Sequence, residues 1–313
     1  MKALLGQVFQ EISSASLLGV DFGSAYLKAV ELVRSGDQLF LRRCSLLEVS
    51  GGNSVEGLKR FLAESPHRSV RAVVGISSPE AVVKPFRFSH LSRKELKAAV
   101  KLEAEQAILN GHALNDMAVD WHLFRSGSLE TVNGICAVVP KKDLSSRLEK
   151  IRAAGLRPVV MDVEGLALWN AYWVLQGKRE RLPGAVLLVN VGAKMTNLVV
   201  ARSPEELILL RDFQFGSQAL AQGLSKEWVA EVRDSIRYAR AKDSHWELSA
   251  AYLTGGGSSA VNLTLLSKMI GVQTTVWNPL DHLRSDQPKE LAVKHSAGPL
   301  FGVAIGLALR GEE

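Results

Sequence analysis

The sequence predicts an α/β fold built of two similar lobes. Three observations carry this. The opening segment alternates apolar strands with tight turns before its first helix, and its order, βββαβ, fits neither a plain sandwich nor a plain bundle. The opening then returns. Offset by 169 residues, Leu18-Gly-Val-Asp-Phe-Gly (18–23) aligns with Leu187-Leu-Val-Asn-Val-Gly (187–192), and Val30 aligns with Val199. Finally, 313 residues are too many for one compact core and suit two domains. A repeat this long and present twice is no solenoid; it implies two lobes facing a cleft.

At 47% hydrophobic and 22% charged residues, the chain reads as a globular protein. No stretch reaches 18 apolar residues, and PLFGVAIGLALRG near the C-terminus is short enough to be a buried helix. The N-terminus, MKALLGQVFQEISS, lacks the apolar core of a secretory signal. Cys44 and Cys136 lie far apart and read as free thiols in a reducing cytosol. The net charge of +6 is spread over small clusters (Arg42–Arg43, Lys141–Lys142, and Lys178, Arg179 and Arg181) without interleaved aromatics. Solvated faces account for these, nucleic acid is not expected as a partner, and attraction to an acidic membrane surface stays open.

Taken in order, residues 1–14 predict a short amphipathic helix with Leu4, Leu5, Val8, Phe9 and Ile12 on one face, packed on its own domain or docked to a partner or membrane. Residues 17–33 and 38–49 give three strands, GLKRFLAES (57–65) a helix and VRAVVGIS (70–77) a buried strand. A β-α-β-β-α unit follows over about 82–158. In its first helix Ser92 and Glu95 form a capping box. Leu96, Val100 and Ala107 share the apolar face of that helix with Glu103, while Glu105 points away. A carboxylate on an apolar stripe needs a partner, either a local ion pair or cap, or a contact at an interface. The two strands of the unit turn around Ser126–Gly127. Residues 159–175 are a strand leading into a helix, and lobe one ends near 178. Lobe two, 179–313, repeats the hairpin unit and continues with the strand ELILLRDFQFG, a short helical section within about 217–249, the strand AAYLTGGGSSA, a helix near 260–270, the strand VQTTVWNP and a final helix over 298–310. Arg233, Arg237 and Arg240 form one basic, solvent-facing side of the helical section.

Three segments carry chemistry together. They are Gly19-Val-Asp-Phe-Gly-Ser24, Asn190-Val-Gly-Ala-Lys-Met-Thr196-Asn197 and Thr254-Gly-Gly-Gly-Ser258. Small residues at such turns let backbone N–H groups approach a phosphate. A glycine-rich strand-to-helix turn can present a helix N-terminus to an anion. Asp21, at a strand end, has the position to hold Mg²⁺ through its waters, and Ser24 or Thr196 could donate to a phosphate oxygen. Each motif alone is common; all three in this order are specific. The seven histidines show no metal-ligand spacing, and neither a GxSxG nor a P-loop occurs.

On these residues the sequence resembles the actin-like ATPase superfamily, of ribonuclease H-like fold. More narrowly it resembles the PilM family of type IV pilus assembly proteins, which is related to FtsA. LLGVDFGSAYLKAVEL, KLEAEQAI (101–108), VVMDVEGLALWNAY, LVNVGAKMTNLVV, YLTGGGS and the closing GLALRG carry the resemblance, which covers nearly the whole chain. It implies that the 82–158 unit is an inserted subdomain of the FtsA 1C type. It implies an ATP site with Mg²⁺ in which Asp21, Gly23, Ser24 and Lys28 form the first phosphate loop and Asn190, Gly192, Thr196 and Asn197 the second. Gly255, Gly256, Gly257 and Ser258 would face the adenosine. Asp21 and Glu164 would be the catalytic pair, Glu164 near the attacking water. It also implies a cytoplasmic protein held at the inner membrane through a PilN-like partner, whose N-terminal tail binds between subdomains 1A and 1C, near Glu103.

Two departures matter. Asn190 stands where the family's hairpin has an aspartate; an amide can accept from a magnesium water but carries no charge. Charge-assisted bonds are roughly twice as strong as neutral ones, so the loss should cost metal–nucleotide binding ~1–2 kcal/mol, and hydrolysis more. The section after Gly216 is short for a full 2B subdomain, so the lid over the nucleotide is expected to be incomplete and ATPase activity weak or absent. A small-molecule kinase of the same superfamily, an FtsA-like filament protein and the cytoplasmic part of a type II secretion protein are the alternatives. The inserted unit and Asn190 weigh against the first, and the closing ALRGEE, with neither a targeting helix nor a membrane span, against the other two.

Overall fold

The computed structural model describes residues 17–35, 38–49, 54–63, 71–108, 113–124, 130–223, 225–243, 245–285 and 295–310. The segment expected as an N-terminal helix and the turn at Ser126–Gly127 lie outside these. In chain order, β1 (Leu18–Phe22), β2 (Tyr26–Ser35) and β3 (Gln38–Glu48) precede α1 (Ser54–Ala63) and β4 (Arg71–Ile76). Then come β5 (Val82–Ser89), α2 (Arg93–Ala107), β6 (Met117–Leu123), β7 (Thr131–Pro140), α3 (Lys141–Ala153) and β8 (Arg157–Val163). Helix α4 (Glu164–Tyr172) runs through a π-turn (Trp173–Gly177) into the short α5 (Lys178–Glu180). Lobe two has β9 (Ala185–Val191), β10 (Thr196–Ser203), β11 (Glu206–Phe213), α6 (Ser217–Ala221), α7 (Ser225–Lys242), β12 (Leu248–Thr254), α8 (Leu263–Ile270) and β13 (Thr274–Val276). The chain closes with β14 (Arg284–Ser285) and α9 (Gly302–Ala308).

The duplication read from the sequence is a duplication of topology. In one sheet β1 pairs β2 antiparallel and β4 parallel, giving the order β14-β3-β2-β1-β4-β8. In the other, β9 pairs β10 antiparallel and β12 parallel, giving β13-β12-β9-β10-β11-β5-β7-β6. The hairpin registers coincide as well: Asp21 faces Lys28, and Asn190 faces Asn197.

Helices α4 and α9 lie between the two sheets, which explains why their sequences are apolar on nearly every side, Glu164 and Asn170 of α4 excepted. Every residue of each is buried, and their side chains share one core with β1, β4 and β8 and with Leu188 and Val199 of lobe two. Gly306 makes this packing possible: a β-carbon there would overlap the carbonyl oxygen of Ala167. A second core, on the outer face of lobe two, joins β9, β10 and β12 to Trp228, Val232 and Ile236 of α7 and Leu266 of α8. The region expected as a short 2B subdomain therefore contributes α7 to the lobe-two core.

The inserted unit divides in the structure. Strands β5, β6 and β7 with α2 make a third core of Phe86, Leu96, Val100, Ala104, Met117 and Val138. Helix α3 does not join it: Leu144 and Ile151 are buried in the first-lobe core, because α3 packs on β4 and β8. The insert is thus β-α-β-β, ending at Pro140, and its strands extend the second sheet through the Leu210–Val83 pair. Ser92 and Glu95 form the capping box expected of them. Glu103 resolves as a local ion pair with Lys84 of β5, while Glu105 faces outward to Lys101. Cys44 and Cys136 are buried thiols that form no disulfide. Among the described residues no helix is long and apolar enough to cross a membrane.

Candidate functional site

Both hairpin turns and the glycine loop after β12 open on one cleft of about 1040 Å³ between the lobes. Asp21, Gly23, Ser24 and Lys28 line it from the first hairpin, Asn190, Gly192 and Asn197 from the second, and Gly255 and Gly256 from the loop. Glu164, at the first turn of α4, forms part of its floor. Gly255 has φ +86°, a left-handed conformation that costs glycine no side-chain clash, and a β-carbon there would crowd Oδ1 of Asn190.

Three expected residues do not line the cleft. Thr196 is fully buried; its hydroxyl donates to the Phe215 carbonyl and accepts from Nε1 of Trp228 at 3.0 Å. It pins α7 to the second sheet. Gly257 and Ser258 are buried too, and their N–H groups donate to the carbonyls of Val191 and Gly255. Together with Gly255, whose N–H donates to Pro299, they hold the loop's shape and leave the exposed Gly256 at its rim.

The two hairpins carry opposite chemistry at matched positions. In the first, Nζ of Lys28 donates to Oδ2 of Asp21 at 2.8 Å, with both side chains largely buried. In the second, Nδ2 of Asn190 donates to Oδ1 of Asn197 at 2.7 Å. Asn197 then donates to Oδ1 of Asp212 at 2.8 Å and to Oγ of Ser77 at 3.2 Å, and Ser77 donates to Oδ2 of Asp212 at 2.9 Å. Asn190 therefore ends a chain of hydrogen bonds that links both lobes.

The cleft floor is electrostatically uneven. Burial pushes the Glu164 carboxyl up to about 8, helped by the nearby charges of Asp21 and Asp212 and opposed by Arg147 and Lys28. Burial also pushes Asp212 up to about 6, although the hydrogen bonds from Asn197, Ser77 and the Ser78 backbone oppose it. At neutral pH Glu164 is mostly protonated. It can donate a proton or a hydrogen bond but is poorly suited to act as a base.

Sequence reasoning did not single out Ser77, Arg147, Lys150 and Lys194, which line the cleft, or Asp212, which is hydrogen-bonded behind it to Ser77 and Asn197. Two had a legible signal. Arg147 sits on the apolar stripe of α3 with Leu144, Leu148 and Ile151, where a charge needs a reason. Its Nη1 donates to the Phe22 carbonyl at 2.9 Å, and its guanidinium lies 5.3 Å from the Phe22 ring centre. Asp212 falls in phase with Leu210 on the buried side of β11. Ser77, Lys150 and Lys194 carry no local signal. Among the described residues no group of three or more His, Cys, Asp or Glu side chains converges as a metal site.

Two lobes of matching strand order, with paired hairpin turns and a glycine loop around one cleft, define the actin-like class of fold. The structure superposes on that of a PilM-PilN type IV pilus biogenesis complex with a TM-score of 0.80 and 24% identity, covering 96% of this chain and 99% of the other. A Bacteroides thetaiotaomicron protein with an actin-like ATPase fold and unknown function matches at a TM-score of 0.50 and 13% identity, covering 90% and 96%. The family model described as type IV pilus assembly protein PilM matches residues 19–228. The chain belongs to the PilM family of type IV pilus assembly proteins.

Proposed function

We propose that this chain is an actin-like scaffold of type IV pilus assembly. It takes up the N-terminal cytoplasmic tail of a PilN-like inner-membrane protein, is held at the inner membrane through that partner, and carries an ATP site in its cleft. The observation behind the scaffold reading is the β-α-β-β insert, whose α2 face has a core of its own and whose β6 is a sheet edge. β6 closes one sheet and β8 the other, each without a strand on its outer side among the described residues. Beyond the end of β6 the chain leans on helix α4, where the Phe124 ring meets Trp169 edge-on at 5.9 Å, and at β8 the side chain of Asp162 is held by Arg310. Free strand edges of this kind suit an extended peptide, whose main chain supplies the affinity.

The cleft suits ATP by size, by its basic lining and by the small residues at its turns. Lys28, Gly23 and Ser24 would meet the phosphates from one lobe and Gly192 and Asn197 from the other, with Gly255 and Gly256 beside the adenosine. Bound ATP would supply a polyphosphate that ties the hairpins together. Turnover should be weak or absent. Asn190 cannot act as a base, Glu164 is mostly protonated at neutral pH, and Asp21 is committed to Lys28.

Fluorescence anisotropy with a labelled N-terminal cytoplasmic peptide of a PilN-like protein tests the reading. The intact chain should bind it, and Val119→Asp, at an exposed position on β6, should abolish binding. A peptide that the intact chain ignores, or that binds regardless of changes along β6 and β8, removes it.

A further inference from the structure

The resemblance brings Mg²⁺ along with ATP, but the residues present do not fit a divalent cation. Resting on the nucleotide reading above, we infer that the cleft binds a nucleoside polyphosphate in its metal-free form, its charge balanced by Lys28, Arg147, Lys150 and Lys194.

A hydrated Mg²⁺ keeps several of its waters and needs oxygens, preferably anionic, to receive their hydrogen bonds. Asp21 offers one carboxylate, but the Lys28 ammonium already sits 2.8 Å from its Oδ2. A dication placed on the same group would meet a fixed positive charge at close range, in a site too buried for solvent to screen it well. The matching position in the other hairpin is Asn190, uncharged and with its amide hydrogen given to Asn197. Asp212 has both oxygens engaged, by Asn197 and by Ser77. The anionic half-shell that would hold the metal against the phosphates is absent at Asn190, already taken up by hydrogen bonds at Asp212 and neutralised at Asp21.

The cations are present instead as side chains. Lys28 stands on β2, just past the first turn, and Lys194 lies within the second. Arg147 is fixed against the first hairpin by its bond to the Phe22 carbonyl. Lys150, one helical turn further along α3, extends that basic wall into the cleft. Free ATP carries more negative charge than its magnesium complex, so a basic cleft of this kind favours the free form. Arginine and lysine at these positions replace the metal's bridging role with charge-assisted hydrogen bonds.

The test is calorimetric titration of ATP into the full chain, once in buffer with EDTA and once with excess MgCl₂. Affinity in EDTA should equal or exceed that in magnesium. Lys150→Gln and Lys194→Gln change exposed side chains and should leave folding intact. Each should weaken binding in EDTA by about tenfold, as expected for loss of one charge-assisted contact. Binding that needs magnesium, or that both lysine variants leave unchanged, overturns this inference while the nucleotide reading stands. No binding in either buffer overturns the nucleotide reading itself.

Discussion

Asn190 donates to Asn197 across the second hairpin at the register where Asp21 accepts from Lys28 across the first. One duplicated position thus holds an ion pair in one lobe and an amide pair in the other. The amide pair is fully used. Both Nδ2 hydrogens of Asn197 go to Asp212 and Ser77, so its Oδ1 depends on Asn190 for a donor. This makes Asn190 part of a lobe-to-lobe network as well as a departure from the family's aspartate.

Asn190→Asp should therefore destabilise the free protein. A carboxylate cannot donate to Asn197, and flipping the Asn197 amide would strand Asp212. The expected cost is about 1–3 kcal/mol at pH 7.5, read as a lower urea midpoint at unchanged slope. The deficit should narrow near pH 5, as the new carboxyl regains a proton to donate. The same variant should acquire magnesium-dependent ATP binding in titration. A variant as stable as the parent at both pH values would show that the network carries no weight.

Glu164 gives the fold a pH dependence of definite sign. Its folded pKa, about 8, lies above the ordinary glutamate value, so between about pH 4.5 and 8 the folded state binds more protons than the unfolded chain. Stability contributed by the protonated form is fully present below that window and is lost as pH rises through the folded pKa. Asp212, pushed up to about 6, adds a loss of the same sign at lower pH. Thermal unfolding followed from pH 5 to 8.5 should show Tm falling, and Glu164→Gln should flatten the upper half of that curve. A parallel decline in the variant would place the titrating group elsewhere.

Thr196→Val separates a structural role from a ligand role. The substitution leaves Trp228 Nε1 buried without its acceptor and removes the bond to Phe215. It should cost about 1–3 kcal/mol in urea unfolding, yet change ATP affinity in titration by less than about threefold. A large loss of affinity with little loss of stability would instead return Thr196 to the cleft.

Much of this was readable from sequence because it is local. Alternating apolar strands around Gly19–Ser24 and Asn190–Asn197 fix both hairpins, and the repeat fixes their equivalence. Ser92 and Glu95 announce their helix start through side chain and spacing alone. Less legible were properties set by distant partners. Thr196 looks like a phosphate donor in its motif, but the Phe215 carbonyl, 19 residues on, takes its proton, and Trp228, 32 residues on, donates to its oxygen. The sequence pattern of α3 could not say which sheet it covers, since its stripe of Leu144, Leu148 and Ile151 suits either core. Glu103 and Lys84 meet only because α2 lies across β5.

In the closing motif Arg310 follows α9 and meets Asp162 of β8. Nε donates to Oδ2 of Asp162 at 2.6 Å, with the side chains 2% and 0% exposed. Burial raises the Asp162 pKa above the ordinary carboxylate value even though Arg310 opposes the shift, so desolvation outweighs the attraction. A pair of that kind is expensive to break and cheap to replace. Arg310→Met alone should cost about 3–5 kcal/mol in urea unfolding, because it leaves a buried carboxylate without its counter-charge. Arg310→Met combined with Asp162→Leu should recover most of that loss, giving a coupling energy above about 2 kcal/mol in the double-mutant cycle. Additive losses in the cycle would mean that Arg310 holds the C-terminal segment by packing alone.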